Sequence, residues 1–105
     1  SMHMGKLFIE LIQQRCPWFI IGSPTNDEHR GSQVSLTHLQ GYAIIQALIA
    51  RNIVGDFRAP DNLRFGFTPL YLRYVDLWDT VDALVDIMSN ESWNQPQFLQ
   101  QQAVT

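Results

Sequence analysis

Cysteine is almost missing from this chain: Cys16 is the only one in 105 residues, so no intrachain disulfide and no cysteine-built zinc cage can form. A reducing, cytoplasmic setting is the default expectation. Charge is also scarce. Asp, Glu, Lys and Arg together make up 16% of the chain, against ~25% in an ordinary domain, which predicts a surface unusually rich in apolar groups, as in a piece of a larger assembly. The net charge is −3 and no Lys/Arg cluster is present, so the electrostatic footprint of a nucleic-acid binder is missing, as is a polybasic membrane anchor. Long hydrophobic runs are lacking too: the run at 18–21 falls far short of the ~20 residues that span a bilayer, so a soluble chain is expected. Gly22, Gly31 and Gly41 do not fall into GxGxxG or P-loop spacing, which removes the glycine-rich phosphate cradles.

What is present is core material. Hydrophobic residues make up 46% of the chain and aromatics 11%, enough for one packed domain of this length. Residues 1–6 read as a cloning remnant ahead of the fold, residues 7–90 as the folded lobe, and residues 91–105, rich in Asn, Gln, Ser and Pro, as a flexible polar tail.

Leu7, Phe8, Leu11 and Ile12 trace one helix stripe, which Pro17 ends. Residues 18–21 read as a short buried strand stopped by Gly22-Ser23-Pro24, and 26–31 as a solvated loop. Residues 33–37 alternate with period two and point Val34 and Leu36 inward. Tyr42, Ile45, Ala47, Leu48 and Ile49 follow a helical period that ends at Arg51-Asn52, with Asn suited to the left-handed position after a helix. A strand over 53–57, a proline turn at 58–62 and a strand with Leu63, Phe65 and Phe67 on one face make a hairpin. Pro69 closes that strand. Leu77, Trp78, Val81, Leu84, Val85 and Met88 then mark the clearest helix, with Asp76, Asp79, Asp82 and Asp86 on its polar side. The expected fold is an α+β two-layer sandwich: a small, mostly antiparallel or mixed sheet of three to four strands covered by two to three helices.

No self-contained active site emerges from these residues. His29 and His38 have no partner at metal-ligand spacing, and Cys16 between apolar neighbours reads as a buried, inert thiol. The helix aspartates read as a solvated face. Arg64 stands apart. It sits mid-strand on the face opposite Leu63, Phe65 and Phe67, and Gly66 on its own face leaves the adjoining space empty. A strand-held guanidinium with a clear approach suits bidentate grip on a carboxylate. The other reading is a surface arginine paired with Asp56 or Asp61 across the hairpin.

The stretch from Val54-Gly55-Asp56-Phe57-Arg58 through Leu63-Arg64-Phe65-Gly66-Phe67-Thr68-Pro69-Leu70-Tyr71 resembles the C-terminal part of the kynureninases. Arg30-Gly31-Ser32-Gln33-Val34-Ser35-Leu36 and the helix ending at Ile49-Ala50-Arg51-Asn52 resemble it too, and the likeness runs from about Phe8 to Met88. It implies the small C-terminal lobe of a homodimeric hydrolase of the aminotransferase-like fold (fold type I) that depends on pyridoxal phosphate. That enzyme cleaves kynurenine, or 3-hydroxykynurenine, to anthranilate, or 3-hydroxyanthranilate, and alanine in tryptophan breakdown. By the same likeness, Arg64 binds the substrate α-carboxylate, orienting the substrate while the cofactor carries the electron-sink chemistry.

One departure is large. The Schiff-base lysine of such enzymes has no counterpart, because Lys6 is the only lysine, and the large cofactor-binding domain is not part of the sequence. The resemblance therefore implies that this chain alone neither holds the cofactor nor turns over substrate. The alternatives are the small lobe of another fold-type-I enzyme, such as a cysteine desulfurase, or a free-standing, non-catalytic α+β domain that binds a small carboxylate or a protein.

Overall fold

The structure is a computed structural model that describes residues 2–22, 25–27, 31–67 and 74–100. The elements run in the order α1 (Met2–Arg15), β1 (Ile20–Ile21), β2 (Thr25–Asp27), β3 (Gly31–Thr37), α2 (Gly41–Ile49), β4 (Asp56–Arg58), β5 (Asn62–Phe67), α3 (Tyr74–Ser89) and α4 (Pro96–Leu99). The sheet order is β1-β3-β5-β4, and β2 also pairs with β3. Every pairing is antiparallel. β1 and β2 lie end to end along one edge of β3, β1 beside Thr37 and Leu36 and β2 beside residues 33 to 31. The architecture is thus the expected α+β arrangement, with five strands in four positions across the sheet.

Alternation decides which side of the sheet is covered. Val34 and Leu36 of β3 and Leu63, Phe65 and Phe67 of β5 are buried. Onto them pack α1, against β3, and α2, against β4 and β5, while α3 packs on α1 and α2. Phe8 of α1 sets its ring 5.2 Å from that of Phe65 and 5.0 Å from that of Phe67. From α3, Leu77, Val81, Leu84 and Ile87 join the same core. On the second side lie Ile20, Gln33, Ser35, Thr37, Asp56, Arg58, Asn62, Arg64 and Gly66, and none of them is buried. Beyond Arg64, which faces Asp56, β5 has no β4 partner, so that edge of the strand opens toward the loop 51–55.

Several boundaries differ from the sequence reading. α1 begins at Met2 and buries Met4 at 5% exposure, so the helix runs through the residues set apart as a remnant. Residues 25–27, expected in or beside a solvated loop, form β2, and β3 begins at Gly31. Asn26 and Asp27, which have little strand preference, are held there by pairing with β3. β1 is shorter than expected, because the chain turns through Pro17–Phe19, where the Phe19 N–H bonds the Cys16 carbonyl at 3.2 Å. β4 occupies residues 56–58 rather than 53–57. Trp78, assigned to the core stripe of the last helix, is 43% exposed, and Ile87 is buried instead. Past Asn90 the chain forms α4, and Trp93 and Phe98 pack on the core. Asn52 takes the left-handed conformation expected of it, with φ 63°. Residues 68–73, with the Thr68-Pro69-Leu70-Tyr71 motif, lie outside the described residues, as do His29 and residues 101–105.

Candidate functional site

The cavity of interest opens beside Arg64. It has a volume of about 760 Å³ and lies between three pieces of chain: the outer end of β5, the loop 51–55 and the first turns of α3. The loop exists because α2 stops at Ile49 and Asn52 turns the chain left-handed, while the Ile53 N–H still bonds the Leu48 carbonyl at 3.0 Å. Gly55 lets that loop lie close over the core, since a Cβ there would meet Ile45 Cδ1 at 2.9 Å and Phe65 Cε1 at 3.2 Å. α3 brings Asp76, Asp79 and Thr80 to the opposite wall.

Arg64 projects from the uncovered face and is partly buried. Its Nη2 donates to Gln33 Oε1 at 3.0 Å. The other N–H groups of the guanidinium have no partner among the described residues. The pairing across the hairpin with Asp56 or Asp61 is not formed: Asp56 instead meets Arg58 at 3.5 Å, an exposed and weak contact. Gly66 stands next to Arg64 on the same face, and a Cβ placed on it would find nothing within 4 Å. Among the described residues, a cation with donors to spare therefore stands beside open space at Gly66, on the side of the sheet where none of them is buried. Such a fork suits a carboxylate or another planar anion.

Arg51, a second cation in the lining, is committed elsewhere. Its Nη2 pairs with Asp86 at 2.7 Å. Asp82 is similarly held by Arg15. These pairs place Asp82 and Asp86 on a solvated helix face, as the sequence spacing predicts. Asp76 and Asp79 differ, since they line the cavity, a placement helix periodicity alone does not reveal.

The remaining candidates lie outside this place. Cys16 is buried, and burial pushes its thiol up to about 11, with Arg15 opposing weakly, so it is a poor nucleophile. His38 sits in the turn between β3 and α2, where its ring packs on Phe19 at 5.4 Å and its Nδ1 accepts the Gln40 N–H at 3.0 Å. Burial lowers its pKa from 6.5. Among the described residues no three side chains of His, Cys, Asp or Glu are grouped to hold a metal ion, and no helix is long and apolar enough to cross a membrane.

The sequence reading placed Arg64 and Gly66 side by side but missed Gln33 as a neighbour of Arg64. Its signal was present in the alternation of β3, which puts Gln33 on the same face. What was lacking was the register, Gln33 opposite Gly66 and Ser35 opposite Arg64, which no local pattern states.

Comparison with known proteins gives the family of the chain. The family model of the kynureninase C-terminal domain matches residues 1–84. Kynureninases of Burkholderia mallei and Burkholderia pseudomallei are 46% identical to the chain over alignments of 108 residues. The kynureninase of Pseudomonas fluorescens is 47% identical over 107 residues. All of this chain is covered in each case, but it spans only 26% of the length of those relatives. The strand-held arginine and the open sheet face thus occur in a chain that belongs to the kynureninase C-terminal domain family.

Proposed function

We propose that the chain is the substrate-binding small lobe of a kynureninase and that Arg64 grips the substrate α-carboxylate. The whole enzyme would hydrolyse L-kynurenine or 3-hydroxykynurenine to anthranilate or 3-hydroxyanthranilate and L-alanine, in the cytoplasm and as a homodimer. One observation carries this reading: the Arg64 guanidinium keeps donors without a partner among the described residues, beside the open space at Gly66, in a chain of this family.

The physical role is orientation. A bidentate pair fixes both the position and the plane of the carboxylate, which a flexible ammonium cannot do. Fixing that end of the substrate sets the direction in which its reacting bonds point, converting binding into alignment. Asp79 on the opposite wall repels a second anion, so it favours a ligand whose negative charge is confined to the end held by Arg64.

Pyridoxal phosphate does not fit the residues present here. The single lysine, Lys6, is exposed on α1 and is not among the residues around the cavity, so nothing there could bind the cofactor covalently. We assign the cofactor to the part of the enzyme that this chain does not span. Alone, the lobe is a binding element without turnover of its own.

The test is Arg64→Met and Arg64→Lys in the complete enzyme, the polypeptide that joins this lobe to the remaining length found in its relatives. Loss of a charge-assisted bidentate pair should raise KM for kynurenine about 10²-fold in Arg64→Met. Arg64→Lys should fall between that variant and the parent, with cofactor absorbance unchanged in both. An unaltered KM in Arg64→Met removes Arg64 from the site.

A further inference from the structure

We infer that Gln33 is a positioning residue for Arg64, holding the guanidinium in place before the carboxylate arrives. The inference rests on reading Arg64 as the carboxylate-binding group. Gln33 lies on β3 directly opposite Gly66, and Arg64 lies opposite Ser35, so the two long side chains are diagonal neighbours on the uncovered face. Ser35 is too short to steady a guanidinium from its position. Because Gly66 has no side chain, nothing stands between Gln33 and Arg64, and Arg64 Nη2 reaches Gln33 Oε1 at 3.0 Å.

The chemistry of the pair then sets the orientation of both groups. An arginine has donors and no acceptor, so the amide oxygen of Gln33 must face it and the amide nitrogen must face away. That nitrogen has no partner among the described residues. Gln33 and Arg64 both border the cavity, as does Gly66. A carboxylate above Gly66 would meet a guanidinium fork already held from the Gln33 side.

A neutral acceptor is also the right kind of partner. A carboxylate at position 33 would hold Arg64 equally well but would neutralise it and compete with the ligand. An amide restrains the long arginine stem and leaves its charge available. Restraint of this kind lowers the ordering cost that binding would otherwise carry.

The experiment compares Gln33→Leu, Gln33→Glu, Arg64→Met and the Gln33→Leu/Arg64→Met double variant in the complete enzyme, with L-kynurenine and its methyl ester as substrates. Gln33→Leu should raise KM for kynurenine about tenfold, the equivalent of ~1.4 kcal/mol, with kcat little changed. It should leave the ester, which has no carboxylate, unaffected, and should add nothing in the Arg64→Met background. Gln33→Glu should raise KM further than Gln33→Leu, because it occupies the guanidinium. If Arg64→Met raises KM and Gln33→Leu does not, the role of Gln33 is overturned while that of Arg64 stands. If neither variant changes KM, both readings fall. If Gln33→Leu impairs acid and ester alike, or lowers kcat for both, Gln33 is a structural residue only and the inference is wrong.

Discussion

Along β5, neighbouring side chains enter two environments that share nothing but the backbone between them. Leu63, Phe65 and Phe67 are buried under α1 and α2, whereas Asn62, Arg64 and Gly66 face the side without a buried residue. The same division runs through β3, with Val34 and Leu36 on one side and Gln33, Ser35 and Thr37 on the other. The covered side is where apolar area leaves water and where the fold gains its stability. The uncovered side adds little to that, and it is there that a partly used guanidinium and an empty space beside a glycine can be kept. Period two in a strand thus lets one segment of six residues serve stability and recognition without conflict.

Substitutions on alternate positions of β5 test this division most strongly. Leu63, fully buried, should cost ~2–5 kcal/mol on replacement by alanine, read as a lower denaturant midpoint. Arg64→Met should remain within ~0.5 kcal/mol of the parent in the same measurement while losing substrate affinity in the complete enzyme. Equal losses of stability at the two positions would erase the distinction between the faces.

The glycines around the cavity sharpen it. Gly55→Ala drives a Cβ against Ile45 and Phe65, an overpacking that should cost ~1–3 kcal/mol of stability. Gly66→Ala meets nothing and should leave stability within ~0.5 kcal/mol, yet raise KM for kynurenine by narrowing the space beside Arg64. A parent-like KM in Gly66→Ala would place the carboxylate elsewhere.

The smallest effect is expected at His38, far from that space. Its pKa is lowered by burial, so on acidification the unfolded chain takes up a proton near pH 6.5 while the folded one does not until the pH is lower. Stability should therefore fall as the pH drops below about 6.5. His38→Asn, which keeps an acceptor near the Gln40 N–H and cannot titrate, should flatten that slope in melting curves recorded across the range. An unchanged slope would locate the responsible group elsewhere.

Much of the fold was legible because it is locally encoded. The inward residues of β3 and β5, the hairpin between β4 and β5, the helix that stops before Asn52 and the clear stripe of α3 all follow from periods of two and 3.6 with turn residues between them. The failures share a cause. β2 is built from Thr25, Asn26 and Asp27, which carry no strand pattern and are ordered by β3 alongside. Trp78 and Ile87 exchanged roles because the apolar residues of α3 form a band wide enough to be rotated, and the contacts with α1 and α2 decide which edge of that band is buried. Within the site, Arg64 and Gly66 were visible as neighbours on one strand face, but Gln33, Asp76 and Asp79 come from elements remote in sequence.

The amino-acid sequence by itself determined the family, the elements that alternate or turn with helical period, the face on which Arg64 lies, and the lack of any lysine but Lys6. Tertiary structure alone decided that β3 and β5 pair with Gln33 opposite Gly66, that the loop 51–55 and α3 wall the space next to Arg64, and that Asp56 turns to Arg58. The reason is physical: the pleat of a strand dictates which side a residue faces, a local matter, whereas its partner across the sheet depends on a register chosen by the packing of the whole core.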